Sequence, residues 1–190
     1  MTNQRLTPLE RAIAKTVHFL EATHIPYFIL GGVAVGFLGE SRFTHDLDLD
    51  IFLPKSEIKD FIAKAKKSSF TINRVQTIKD VQTFGSFKMS FENVPIDCIL
   101  ASTALEQSAL ERRQKIEAFD TEIYIPSPED LILLKIIPGR PKDLVDAESI
   151  VTRYSKKLDR KYLEHWTKSI CDEAEDFRIW HQLQELLKAS

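Results

Sequence analysis

The seven residues His45-Asp46-Leu47-Asp48-Leu49-Asp50-Ile51 alternate acid and aliphatic from Asp46 onward, a pattern that leaves little choice of local structure. A period of two belongs to a β-strand, where side chains two apart share a face and stand about 6.5–7 Å apart along the chain. Leu47, Leu49 and Ile51 then enter a core, while Asp46, Asp48 and Asp50 line the opposite face. Three like charges in a row repel, and aspartate is depleted in strands, so this face calls for something positive over it. Two neighbouring carboxylates suit Mg2+, a hard ion that keeps several waters and shares its other positions with phosphate oxygens. A pair of such ions about 3.5–4 Å apart can clamp the attacking and leaving oxygens of a phosphoryl displacement. The same alternation also describes a solvated edge strand whose acids deter aggregation, and the strand by itself leaves both meanings open.

The upstream residues narrow the choice. Tyr27-Phe28-Ile29-Leu30 reads as a short buried strand that stops at Gly31-Gly32, and a brief helix over 33–38 follows, closed by Gly39. A glycine pair between strand and helix is a place where backbone N–H groups and the helix dipole cradle phosphate; it is also simply a tight turn that needs positive φ. Thirteen residues separate Gly32 from Asp46, a spacing that sets a phosphate cradle beside a carboxylate pair. Neither the G-x-G-x-x-G fingerprint nor the P-loop pattern is present, and H-E-x-x-H is absent too. The five histidines show no ligand spacing. Further along, Lys135 stands in the otherwise apolar run Leu131–Ile137, so its ammonium must reach an acid, a phosphate or, by snorkelling, solvent.

Around these segments the chain reads as a series of short elements. Thr7-Pro8-Leu9-Glu10 is a capping box that opens a helix over 8–22, with Leu9, Ile13, Val17 and Leu20 as its stripe. Pro54 ends the carboxylate strand, and a helix over 57–67 follows with Ser56 as N-cap. The middle is β-rich, with strands near 70–76, 86–92, 94–101 and 120–125 and a polar helix over 103–117. From Ser127 the chain turns helical: Ser127-Pro128-Glu129-Asp130 caps a helix through Ile137, and others follow near 142–155, 158–169 and 172–188. The expected class is α+β: a core over residues 1–126 with a mixed β-sheet and flanking helices, then a C-terminal helical tail over 127–190 packed on it.

At Leu30-Gly31-Gly32 and Asp46-Leu47-Asp48 the chain resembles the DNA polymerase β-like nucleotidyltransferase superfamily, whose signature is a hydrophobic residue, Gly-Gly or Gly-Ser, a spacer of about this length, then Asp-x-Asp. Arg42-Phe43-Thr44-His45-Asp46-Leu47-Asp48 is similar to the Arg-x-Thr/Ser-x-Asp-x-Asp of the AbiEii/MenT-type toxin branch, and Arg140-Pro141-Lys142-Asp143-Leu144-Val145-Asp146 to its Arg-x-Lys-Asp-x-x-Asp. The resemblance implies a nucleotidyltransferase-like fold in which Asp46 and Asp48 hold Mg2+ or Mn2+. Asp97, the one acid in Val94–Leu100, becomes the third ligand and the general base, where a strand-end turn is the plainer alternative. By the same resemblance Gly31, Gly32, Arg42 and Thr44 handle the triphosphate, Lys135 contacts phosphates as a point charge, and Asp143 orients Lys135 or the site. Asp146 does likewise or pairs with a nearby base, and Asp50 is a bystander expected at the edge of the site.

The implied reaction moves a nucleoside monophosphate from an NTP to an acceptor hydroxyl and releases pyrophosphate. In the toxin branch the acceptor is tRNA or another RNA, the setting is a toxin–antitoxin or phage-defence system, and a cognate antitoxin is a partner. The superfamily also contains enzymes that modify small molecules such as aminoglycosides, and the fold can serve as an inactive nucleotide- or partner-binding module. Across 190 residues the formal net charge is −2, so no global field advertises nucleic acid and an RNA acceptor would need a local patch. Arg153, Lys156, Lys157, Arg160, Lys161 and Lys168, with Tyr154 and Tyr162 among them, offer one, and they equally describe an ordinary solvated helix pair. Cys98 and Cys171 form no C-x-x-C, and no apolar run approaches the ~18 residues of a membrane span. These features lead us to expect a cytoplasmic protein without a membrane partner.

Overall fold

In the computed structural model, which describes residues 6–188, the carboxylate strand is β2 (Leu47–Ile51), an inner strand of a four-stranded sheet. The order is β1 (Tyr27–Ile29), β2, β4 (Val94–Leu100), β3 (Ser86–Phe91). β1 runs antiparallel to β2, β2 parallel to β4, and β3 antiparallel to β4. Because β2 is hydrogen-bonded on both sides, the solvated edge strand that its sequence also allows is ruled out. Leu47, Leu49 and Ile51 are fully buried, and Ile96, Cys98 and Leu100 of β4 with Phe87 and Met89 of β3 share that inner face. Burial of this kind contributes about 25 cal/mol per Å² of apolar surface, enough for the aliphatic half of the alternation to fix the strand's register.

The helices that cover the inner face form for local reasons. α1 (Pro8–Ala22) has the capping box read from its sequence: Thr7 accepts from Glu10 N, and Glu10 accepts from Thr7 N. It buries Ala12, Ile13, Val17 and Leu20. Its Phe19 ring packs edge-on to Phe61 of α3 (Ile58–Lys67) at 5.4 Å between centroids. α3 does not start from a Ser56 cap. Lys55–Glu57 make a 3-10 turn instead, and the N-cap is Glu57, with no side-chain hydrogen bond.

Two segments of the middle differ from their sequence reading. Residues 70–76 form a single bridge, Thr71 to Ser90, followed by α4 (Arg74–Phe84). Asn73 caps this helix by accepting from Gln76 N at 3.1 Å, and Gly85 ends it at φ +69°. Its periodicity is hard to see because it buries only Thr77 and Val81 and leaves Val75 and Phe84 exposed. The helix expected over 103–117 stops early. α5 (Ala104–Arg112) ends before β5 (Gln114–Ala118), which pairs with β6 (Thr121–Ile125) through Phe119 and Asp120, both at φ +57°. A two-residue turn of that hand prefers Asn-Gly or Asp-Gly, and Phe-Asp gives no such signal.

The chain divides into two compact units. The first comprises the described residues up to Val33 together with Phe43–Ile125, and it holds both sheets. The second comprises Ala34–Arg42 and the chain from Pro126 onward. The division passes through α2 (Gly31–Leu38), which starts at the glycine pair itself. Within the second unit lie α6 (Pro128–Ile136), α7 (Pro141–Tyr154), α8 (Arg160–Ala174) and α9 (Arg178–Lys188). The last two replace the helices read at 158–169 and 172–188, because Asp159 caps α8 and Glu175, at φ +52°, ends it. Gly39 donates to Val35 O without adopting positive φ. The need for glycine there is the close approach of α7, since an added Cβ would overlap Ser149 Oγ. Among the described residues no helix is long and apolar enough to cross a membrane.

Gly85 gives a direct check on this account. Gly85→Ala places a Cβ where nothing lies within 4 Å, so its whole cost is the left-handed backbone. That cost is about 1–2 kcal/mol, read as a lower urea midpoint with an unchanged slope.

Candidate active site

Within the first unit the glycine pair and the acids meet at the end of β1. Leu30 N donates to Asp48 O at 2.8 Å, which fixes where the chain turns. Gly31 makes that turn at φ +59°, and a Cβ on it would overlap Asp48 Oδ2. The Asp48 carboxylate therefore lies directly on bare backbone. A Cβ on Gly32 would fall 2.8 Å from Thr44 Cβ, so this second glycine makes room for Thr44. Thr44 Oγ1 in turn donates to Asp46 Oδ1 at 2.7 Å. Gly31, Gly32, Thr44, Asp46 and Asp48 are thus one arrangement, at the first turn of α2.

Asp97 joins it through the sheet. The parallel register pairs Asp48 with Asp97 directly, so the two side chains share a face on strands about 4.8 Å apart. Asp97 Oδ2 accepts from Lys88 Nζ at 2.5 Å, while Asp97 Oδ1 is buried with no hydrogen-bond partner. Lys88, absent from the sequence reading, is the residue opposite Asp97 on β3. The hydrogen bond to Asp97 raises its pKa against the opposing effect of burial, and the charges of Asp97, Asp48 and Asp46 raise it further. Alternation along Ser86–Phe91 shows that Lys88 faces away from the core, but not which strand lies beside it.

Asp50 is not at the edge of the site, contrary to its expected place. It is 1% exposed, lies in register between Phe28 of β1 and Ile99 of β4, and neither carboxylate oxygen has a hydrogen-bond partner. Burial, reinforced by the charges of Glu106 and Asp48, pushes its pKa well above the usual value.

Among the described residues no three His, Cys, Asp or Glu side chains are grouped to cage a metal by themselves. A Mg2+ ion needs only one or two carboxylates when phosphate oxygens and waters complete its octahedron. Asp48 and Asp97, hard oxygen donors in register on adjacent strands with Asp97 Oδ1 buried and unpartnered, fit that requirement.

The remaining predicted residues gather within the second unit. Lys135 Nζ is buried and donates to Asp143 Oδ1 at 3.2 Å and to Asp146 Oδ2 at 2.8 Å. Arg42 Nε donates to Asp146 Oδ1 at 2.9 Å while its second nitrogen reaches Oδ2 at 3.1 Å, and Arg140 pairs with Asp143. Burial works to raise the Asp146 carboxyl, but hydrogen bonds from Arg42 and Lys135, with their charges, hold it below the usual range. The demand that Lys135 find an acid is met by two of them.

The model of a family described as a nucleotidyltransferase of unknown function, DUF6036, matches residues 4–188. No curated protein matches the chain. Among solved structures the chain is similar to that of the lincosamide antibiotic adenylyltransferase LnuA, lincomycin-bound, at 15% identity and a TM-score of 0.51, over 77% of this chain and 98% of that one. It is similar to ANT(2'')-Ia in complex with adenylyl-2''-tobramycin at 17% identity and 0.55, over 83% and 94%. The solution structure of the antibiotic-resistance factor ANT(2'')-Ia gives 15% and 0.56, over 88% and 95%. At such identities the likeness is one of fold, and the mixed sheet with flanking helices is the expected α+β class.

Two substitutions test the electrostatics. The folded protein holds the Asp50 proton at pH values where the unfolded chain has lost it, so stability falls as pH rises above 3.8 toward the raised pKa. Asp50→Asn, in EDTA, is expected to raise Tm by roughly 2–4 °C near pH 8, the equivalent of about 1 kcal/mol in a chain of this size, and to change it little near pH 3.5. Lys135→Met is expected to cost roughly 2–3 kcal/mol in urea unfolding at neutral pH. This is less than the ~3–5 kcal/mol of a stripped buried pair, because Arg42 and Arg140 still neutralise the two acids.

Proposed function

Because the chain belongs to the DUF6036 family of nucleotidyltransferases, we propose that it transfers a nucleoside monophosphate from an NTP to a hydroxyl of a small polar acceptor and releases pyrophosphate. The observation that carries this reading is the Asp48 carboxylate seated on the bare backbone of Gly31, one strand from Asp97. Asp46, Asp48 and Asp97 are the residues assigned to the divalent ion, Mg2+ or Mn2+. When bound, the ion supplies charge neutralisation at the α-phosphate and acidifies the acceptor hydroxyl.

The chain's own groups have separate tasks in this reading. The N–H groups at the first turn of α2 receive phosphate oxygens, which bare glycine backbone allows to approach. Thr44 holds the Asp46 carboxylate in orientation through its hydrogen bond. Asp97 Oδ1, buried and unpartnered, accepts the proton of the attacking hydroxyl. The acceptor oxygen then bonds to the α-phosphorus, and the bond from that phosphorus to the bridging oxygen breaks. Pyrophosphate leaves with the electron pair. The resemblance assigns Lys135, Arg42 and Asp143 phosphate-side roles.

The likeness in fold to enzymes solved with lincomycin and with adenylyl-2''-tobramycin favours a small-molecule acceptor. Placement in the AbiEii/MenT-type branch, with an RNA acceptor and an antitoxin, is the second reading. The exposed Lys156, Lys157, Arg160 and Lys161 around the start of α8 favour it.

Incubation with α-labelled NTPs and Mg2+, offered aminoglycosides and lincosamides in one set and total RNA in another, separates the two. Label is expected in the small-molecule set, and label confined to RNA would move the protein to the second reading. Asp48→Asn is expected to lower the rate at least about 10²-fold, the equivalent of roughly 3 kcal/mol. Gly31→Ala, which displaces Asp48 without altering a charge, is expected to act comparably. Nucleotide binding without transfer to either acceptor would mean an inactive binding module.

A further inference from the structure

We propose that Lys88 is a positioning residue for Asp97: its ammonium holds the acidic face of the sheet when no divalent ion is bound and gives up Asp97 to the ion when one arrives. The proposal rests on the reading of Asp97 as an ion-binding residue.

Three observations support it. Lys88 stands opposite Asp97 in the β3–β4 ladder and contacts one carboxylate oxygen, Oδ2, leaving Oδ1 without a partner. Asp97 is in register with Asp48 on the neighbouring strand, so the ammonium on Asp97 lies on the sheet face that carries the assigned carboxylates, and the charges of Asp48 and Asp46 also act on it. One positive charge set against three negative ones relieves their repulsion only in part, and the face still attracts a dication. Finally, the Lys88 side chain is 78% exposed on a flexible stem while that of Asp97 is 32% exposed. An exposed lysine–carboxylate pair is weak and readily exchanged. The ammonium can therefore leave Asp97 without opening a buried cavity. Once released it keeps three donors, with no other acid paired to it in the β3–β4 ladder.

Competition for Asp97 makes a prediction that a purely structural ion pair does not. Mn2+ is the probe, titrated without nucleotide and followed by the electron paramagnetic resonance of the free ion. Lys88→Met is expected to tighten Mn2+ binding roughly three- to tenfold, with Lys88→Arg close to wild type. Asp97→Asn is expected to weaken binding, and in the Asp97→Asn background the effect of Lys88→Met should vanish. Equal Mn2+ affinity in wild type and Lys88→Met would overturn the proposal. So would a gain that persists undiminished in the Asp97→Asn protein, because Lys88 would then act only through its general field. Should Asp97→Asn bind Mn2+ as tightly as wild type, the ion-binding reading of Asp97 falls, and the role given to Lys88 falls with it. A loss in Asp97→Asn with no response to Lys88→Met removes the Lys88 proposal alone.

Discussion

The close approach of the Asp48 carboxylate to the backbone of Gly31 is the constraint on which the first unit is arranged. It requires β1 to end where it does, with Leu30 bonded to Asp48 O, and it requires the left-handed turn that only glycine makes without strain. The same aspartate is fixed on its other side by the parallel register with β4, which sets Asp97 beside it. A carboxylate two residues away, at Asp50, obeys the same alternation and yet falls between Phe28 and Ile99, where no donor reaches it. One strand therefore presents acids in three different environments: Asp46 hydrogen-bonded by Thr44, Asp48 against backbone, and Asp50 buried without a partner.

Much of this arrangement was legible before the structure. The alternation in β2 gave the strand and its two faces, and the thirteen-residue gap tied the glycine pair to the acids. What was illegible has a common cause: it depends on which strands and helices lie side by side. Lys88 is an ordinary polar residue until β3 is placed against Asp97, and Asp50 looks like its neighbours until the register sets it, buried, between Phe28 and Ile99. α4 is illegible because its buried face is only Thr77 and Val81, so the apolar period that marks a helix is not what holds it. Most of β5 falls inside the helix predicted over 103–117 because Gln114–Ala118 has no strong strand former apart from Ile116, and pairing with β6 overrides that local preference.

The second unit is held differently. Asp143 and Asp146, both buried, are matched by Lys135, Arg42 and Arg140 in a connected set of ion pairs. Arg42 and Asp146 are 104 residues apart in sequence, and the bidentate geometry of their pair is directional where apolar packing is not. Tyr162 adds a hydrogen bond from α8 to the buried Asp130 of α6, and Glu129 accepts from Asp159 N. Networks of this kind are costly to leave half satisfied, so they select one packing of helices over its near alternatives.

That Ala34–Arg42 belongs with residues beyond Pro126 sets an order of events during synthesis. This short stretch leaves the ribosome early and must wait, unmatched, while more than eighty further residues are made before α6 and α7 exist to receive it. Arg42 and Glu40 spend that interval without Asp146 and Ser149. The four-stranded sheet of the first unit can form in the meantime, since its strands are all complete by Leu100. Translation therefore leaves a nascent chain whose amino-terminal part carries an unfinished helix end, a state that a chaperone or a premature stop would meet and the mature molecule never shows.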